Sequence, residues 1–365
     1  MDKLFLGLVA IGMLIHSDSV FFRSDALSDL SLQRVEGDYS ILDDSGNAIR
    51  IIAMEDKDGV IFWYRRIKTE VCQTGECKLV DVGLFWDCTG DFYGLEVYGE
   101  HLTKTDHSIF SAEDYQLLIS ILSNDWSILR EYDMDDLTVE RPALGNNVLV
   151  EGKEGVDATS GATRREIAEE AVKDAVYTTY TLWHLVHLGE KEQLEELTVL
   201  LLKKQSYVEA LLAASKEKYD YFLLSLLAQA RVEPFLPLKQ LLTRRLQSVD
   251  DPLLQDIAVK ALANADATSI TFQSDIAAVY RDSKPALKLQ ILTALKDLTQ
   301  VHAHLALALE NDLIVTNEWL AVKILPLLMK AQSPSEQTLH TVRQLTRSKN
   351  TQVAYLAQQF LEVVD

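Results

Sequence analysis

The residues with the most chemical potential stand near the middle of the chain, in Val156-Asp-Ala-Thr-Ser-Gly-Ala-Thr163. A threonine hydroxyl is a weak nucleophile that another group, or another enzyme, must activate. Gly161 and Ala162 remove side-chain bulk beside Thr163, so the backbone there can lie against a phosphate. The stretch Arg164-Arg-Glu-Ile-Ala-Glu-Glu-Ala-Val172 predicts a helix headed by Thr163, whose free N–H groups would favour an anion. Arg164 and Arg165 add local positive charge. Thr163 and Glu166 also fit a capping box, so the same residues serve as an ordinary helix start.

Asp157, Ser160, Gly161, Ala162 and Thr163 together fit the pattern D-x-x-[ST]-G-A-T. This resembles the flavinylation motif of the FMN-binding domain in the C subunit of sodium-pumping NADH:quinone reductase and the G subunit of Rnf complexes. The resemblance implies that Thr163 carries FMN covalently through a phosphoester. A magnesium-dependent flavin transferase would install it from FAD outside the cytoplasm, with Asp157 and Ser160 in the signature that this enzyme reads. The family usually places a glutamate-threonine-proline stretch before the motif. Here Leu102-Thr-Lys-Thr-Asp-His-Ser-Ile-Phe110 holds that place. Lys104 and His107 could approach the isoalloxazine, where a cation would stabilise the reduced anionic ring. The alternative for both is a loop packed by Leu102 and Phe110.

Other constellations carry less. Cys72-Gln-Thr-Gly-Glu-Cys77 is spaced for a local disulfide in an oxidising compartment, with Cys88 as the remaining thiol, buried in its strand. No second cysteine pair completes a metal site. His184 and His187 share a helix face at i, i+3, which suits packing or a flavin-side contact better than a metal. The common nucleotide, serine-hydrolase and zinc-protease signatures are absent from the sequence.

The elements that must position these residues divide in two. Between Asp38 and Val97 short β-rich runs alternate with turn residues. Ile49–Ala53 follows Asp44-Ser-Gly-Asn47, and Val60–Tyr64 follows Asp58-Gly59. Val80–Asp87 and Phe92–Val97 flank Thr89-Gly90. Ser111 and Asp114 cap a helix through Leu122. This reads as an α+β domain with an antiparallel sheet and helices, over residues 20–188. After Thr163 the pattern is helical. In steps of 33 residues, Ala258, Ile291, Ile324 and Ala357 form one apolar column. Ala261, Ala294, Leu327 and Phe360 form a second, and Leu262, Leu295, Leu328 and Leu361 a third. Helix starts at Asp251-Pro252, Lys284-Pro285, Asn317 and Asn350 keep the same step. Such a period describes stacked helix pairs, and it resembles HEAT-type repeats, predicting an all-α solenoid over residues 189–365. An irregular helical bundle is the alternative.

Charge and address complete the reading. Residues 20–163 hold 28 acidic and 12 basic residues, and the whole chain carries −20, which repels phosphate backbones and argues against nucleic acid as a partner. Leu4–Ile15 is a twelve-residue apolar run after Lys3, short for a membrane span but suited to a secretory signal over residues 1–19. Export to the periplasm or the outer membrane face is expected, with the run cleaved or kept as an anchor. The expected function is extracytoplasmic electron transfer, with the flavin transferase as modifying enzyme. The repeats would dock a redox partner protein or a membrane electron-transport complex. The alternatives are a non-redox repeat scaffold with an unflavinylated head, and a flavin-dependent reductase with its own substrate pocket.

Overall fold

The computed structural model describes residues 19–23, 32–43, 45–71, 79–139, 162–163, 167–187, 189–248, 250–332 and 334–364. Asp157, Ser160, Gly161, Cys72 and Cys77, and the whole apolar run Leu4–Ile15, lie outside these residues. The chain forms two compact units. One takes the described residues up to Lys57 with Ile61–Leu197, the other Asp58–Val60 with the chain from Thr198 onward.

The first unit is built on an antiparallel sheet. Its strands are β1 (Ser19–Arg23), β2 (Gln33–Arg34), β3 (Tyr39–Leu42), β4 (Ala48–Glu55), β5 (Ile61–Thr69), β6 (Val80–Asp87) and β7 (Phe92–Tyr98). The order is β1-β7-β6-β5-β4-β2, and β3 also pairs with β4. Alternation sets the faces: the register aligns Trp63 with Trp86 and Leu84 with Leu95. All four are fully buried, as is Val82. Each such side chain contributes about 1.5–3 kcal/mol of burial. The turn at Asp43–Asn47 closes because the Asp43 carboxylate accepts from the Ser45 and Asn47 backbone N–H groups. Gly46 takes the left-handed conformation that this turn needs.

Helix α1 (Ala112–Leu122) begins at the expected capping box: Asp114 N–H donates to Ser111 Oγ, and Ser111 N–H donates to the Asp114 carboxylate. Short 3-10 turns at Ile128–Glu131 and Met134–Asp136 lead to a separate two-stranded ladder of β8 (Thr138–Val139) and β9 (Ala162–Thr163). Then come α2 (Val176–His187) and α3 (Glu190–Leu201). Trp86 Nε1 donates to the Val186 carbonyl at 3.3 Å, fastening α2 to the sheet. The start of α3 adds three ties. Glu190 pairs with Arg65, Lys191 with Asp91 and Asp125, and the Gln193 amide bonds both backbone groups of Leu42. The division between the units falls inside α3, after Leu197, so these residues belong with the sheet.

The second unit is helical. Its elements are α4 (Gln205–Ala213), α5 (Glu217–Ala228), α6 (Leu236–Leu246), α7 (Pro252–Leu262), α8 (Ile270–Asp282), α9 (Pro285–Ala294), α10 (Ala303–Asp312), α11 (Glu318–Leu328), α12 (Glu336–Leu345) and α13 (Thr351–Val364). α7, α9, α11 and α13 begin at intervals of 33 residues. The helices pack in two rows, α5-α7-α9-α11-α13 and α4-α6-α8-α10, joined pairwise across the rows. The first column, Ala258, Ile291, Ile324 and Ala357, is fully buried. The other two columns are buried except at Ala294 and Leu361, which are half-buried. Between successive turns, Lys330 Nζ donates to the Lys296 carbonyl, Val301 N–H to the Lys330 carbonyl, and His302 bonds the Thr268 carbonyl.

Candidate functional site

The motif ends in a β-ladder. β9 runs antiparallel to β8, with Thr163 opposite Thr138 and Ala162 opposite Val139. Two fully buried residues bracket the ladder: Leu137 immediately before β8, and Ile167 four residues after Thr163. Near β8, the Tyr180 hydroxyl donates to the Tyr132 carbonyl at 2.9 Å, and Trp183 Nε1 donates to the Asn124 carbonyl at 3.0 Å. Ala162 and Thr163 are thus extended backbone paired with β8.

The expected helix over residues 164–172 is a correction. Among the described residues, Ile167–Asp174 form turns and bends, and the helix starts only at Val176. Tertiary hydrogen bonds override the local helical pattern. The fully buried Ser127 donates to the Glu170 carboxylate at 2.7 Å. Val172 N–H donates to Thr179 Oγ1, and the Asp174 carbonyl accepts from both the N–H and the hydroxyl of Thr105. Asp174 itself is left-handed at φ 59°, which ends any helix there. Among the described residues no helix lies between Thr163 and Val176.

The loop that holds Lys104 and His107 is an ordered turn. Thr103 bridges Ile109, Leu102 and Phe110 are buried as its packing residues, and Lys104 N–H donates to the Ser108 carbonyl. Lys104 Nζ lies 2.9 Å from Asp114, with both side chains mostly buried. Burial pushes the Asp114 carboxyl up, but hydrogen bonds from Lys104 and Ser111 outweigh it and hold the group below the usual range. The lysine charge is therefore already committed to the start of α1. His107 is exposed at the tip, with φ 63°. The same turn is tied to the chain beyond Thr163 through the Thr105–Asp174 bonds.

His184 and His187 pack against neighbouring aromatic rings. His184 lies against Tyr180 at 4.0 Å between ring centroids, and His187 against Trp183 at 4.5 Å. His187 Nε2 donates to the Leu122 carbonyl at 2.9 Å, and its Nδ1 faces Asp125 at 3.6 Å. Among the described residues no group of His, Cys, Asp and Glu side chains is arranged to hold a metal. Cys88 is fully buried just after β6.

Sequence reasoning missed a polar cluster on the sheet. Glu96, only 8 % exposed, accepts a hydrogen bond from the Tyr98 hydroxyl, and the Tyr64 hydroxyl bonds Tyr98 at 2.8 Å. The Arg66 guanidinium lies 3.8 Å from the Tyr98 ring centroid and pairs with Asp81 at 2.8 Å. Burial, then the bonds to Glu96 and Tyr64, raise the Tyr98 phenol above its ordinary range. Strand alternation puts these residues on one face, but only the register of β5, β6 and β7 brings Arg66, Gly83 and Glu96 side by side. Compared with protein-family models, with curated proteins and with solved structures, the chain matches none.

Proposed function

We propose that this is an extracytoplasmic electron-transfer protein carrying FMN through a phosphoester on Thr163. The observation that carries the proposal is the seven-residue pattern formed by Asp157, Ser160, Gly161, Ala162 and Thr163. The extended backbone at Ala162–Thr163 supports it, because a modifying enzyme can read an extended segment more readily than a helical one. Installation balances simply. The Thr163 hydroxyl attacks the FMN-side phosphorus of FAD, the pyrophosphate P–O bond breaks, AMP leaves, and the hydroxyl proton passes to solvent. Bound FMN supplies the redox chemistry, while the chain contributes attachment and position. The helical unit serves as a HEAT-like solenoid that docks a redox partner or a membrane complex. Its two helix rows and 33-residue step support that part.

A second reading is a non-redox scaffold with an unflavinylated head. Its support is specific: among the described residues no helix lies between Thr163 and Val176, and Lys104 is bound to Asp114. One experiment separates the two. The full chain, produced with an exported flavin transferase, should give a fluorescent band on a denaturing gel, and Thr163→Ala should abolish it. A mutant band of equal brightness, or a dark wild-type band, rejects flavinylation at Thr163.

A further inference from the structure

One helix row of the second unit is apolar on the side where solvent calls for charge. α7, α9, α11 and α13 pack side by side, and the second, fifth, sixth and ninth residues of each share one face. None of these residues is buried, whereas the 33-residue columns on the opposite side fill the core. Leu253 is 74 % exposed, Trp319 49 % and Tyr355 58 %. Leu289 and Val322, at the fifth positions of α9 and α11, continue the stripe half-buried. The charged members of the face are Asp256, Lys260 and Lys323, and Asp256 pairs with Lys260 at 2.7 Å. A solvent-facing helix carries its charges on this side, so an apolar stripe here marks an interaction surface.

Spacing selects the occupant. Packed helices lie about 8–10 Å apart, so the row offers an apolar anchor at that interval. Seven residues of α-helix rise about 10.5 Å, which keeps one apolar residue per heptad on the same side. An extended segment covers the interval in about three residues, which puts successive anchors on opposite faces. We propose that the stripe from Leu253 through Leu289 and Trp319 to Tyr355 docks one amphipathic α-helix of a partner protein, about 20 residues long, with acidic residues flanking its apolar face. The acidic flank answers Lys323, since Lys260 already answers Asp256. This rests on the reading that the helical unit docks a partner, and is independent of the flavin.

The test uses the full chain without flavin and two labelled three-heptad peptides with leucine at a and d. One carries glutamate at e and g, the other lysine, and fluorescence anisotropy reads binding. The glutamate peptide should bind the more tightly, although the whole chain carries −20. Lys323→Glu should remove that preference. Trp319→Glu should weaken binding about ten-fold or more with an unchanged circular dichroism melt. Leu253→Glu carries the same comparison should the tryptophan variant melt lower. Equal binding by wild type and by both variants overturns the stripe but leaves a docking array standing. A preference for the lysine peptide reports attraction to the net charge alone and also overturns it. Binding to phosphatidylcholine vesicles and to neither peptide assigns the stripe to a lipid surface and overturns the protein helix. No binding of any probe overturns the stripe and the docking reading together.

Discussion

His184 and His187 are held by aromatic packing and by bonds to the Tyr180 and Leu122 carbonyls. Burial pushes both below the ordinary histidine range. For His187 the Leu122 carbonyl and Asp125 pull back upward, while Lys191 and His184 push down again. The folded state thus binds protons on these rings less readily than the unfolded chain does. Their neutral forms support the fold fully above the unfolded histidine value of about 6.5, and that support is lost as pH falls from there through the lower folded-state value. Chemical denaturation of the full chain should therefore show stability falling as pH drops below about 6.5. The double variant His184→Gln/His187→Gln should flatten that slope. An unchanged slope in the variant would assign the acid sensitivity to other groups.

Elements in this protein are placed by a few close contacts, and the β6–β7 turn is the clearest. Gly90 has φ 80°, and a Cβ there would lie 2.6 Å from the Lys191 carbonyl oxygen. Asp91 in the same turn holds Lys191 Nζ, so the turn and the start of α3 are interlocked. Gly90→Ala should cost roughly 1–3 kcal/mol, read as a lower urea midpoint of the full chain. An unshifted midpoint would mean that α3 moves away freely. The turn itself was legible in the sequence, as were β6, β7, the capping box of α1 and the four helix starts of the 33-residue period. Those features depend on neighbours within a few residues, or on a repeat that a sequence displays directly. The segment after Thr163 was not legible. Its helical pattern is genuine, but Ser127, Thr105 and Thr179 draw its backbone and carboxylate into longer-range bonds that no local pattern records. The ladder partner of Thr163 was hidden for the same reason, since Thr138 stands far from it in the chain.

At the scale of the whole molecule, the extent of the first unit decides where the chain can be divided. An N-terminal piece ending at residue 189 would lose Glu190, Lys191 and Gln193, whose bonds reach β5, the β6–β7 turn and β3. The second unit follows a different logic. Its bonds across successive helix pairs join residues about one repeat apart, as in Lys330 to Lys296 and His302 to Thr268. Stability in such an array is nearly a sum of local repeat terms and nearest-neighbour interfaces. The repeat reading therefore predicts an array modular in length. Excising residues 285–317, one full step from the start of α9 to the residue before α11, should leave a cooperatively melting helical unit. A deletion of half that length should not, because it would bring the buried columns out of phase. Circular dichroism melts of the two deletions would tell them apart, and equal collapse of both would show that the repeats are not interchangeable. On the repeat reading, whole-step duplication in the helical unit would need no redesign of the sheet unit.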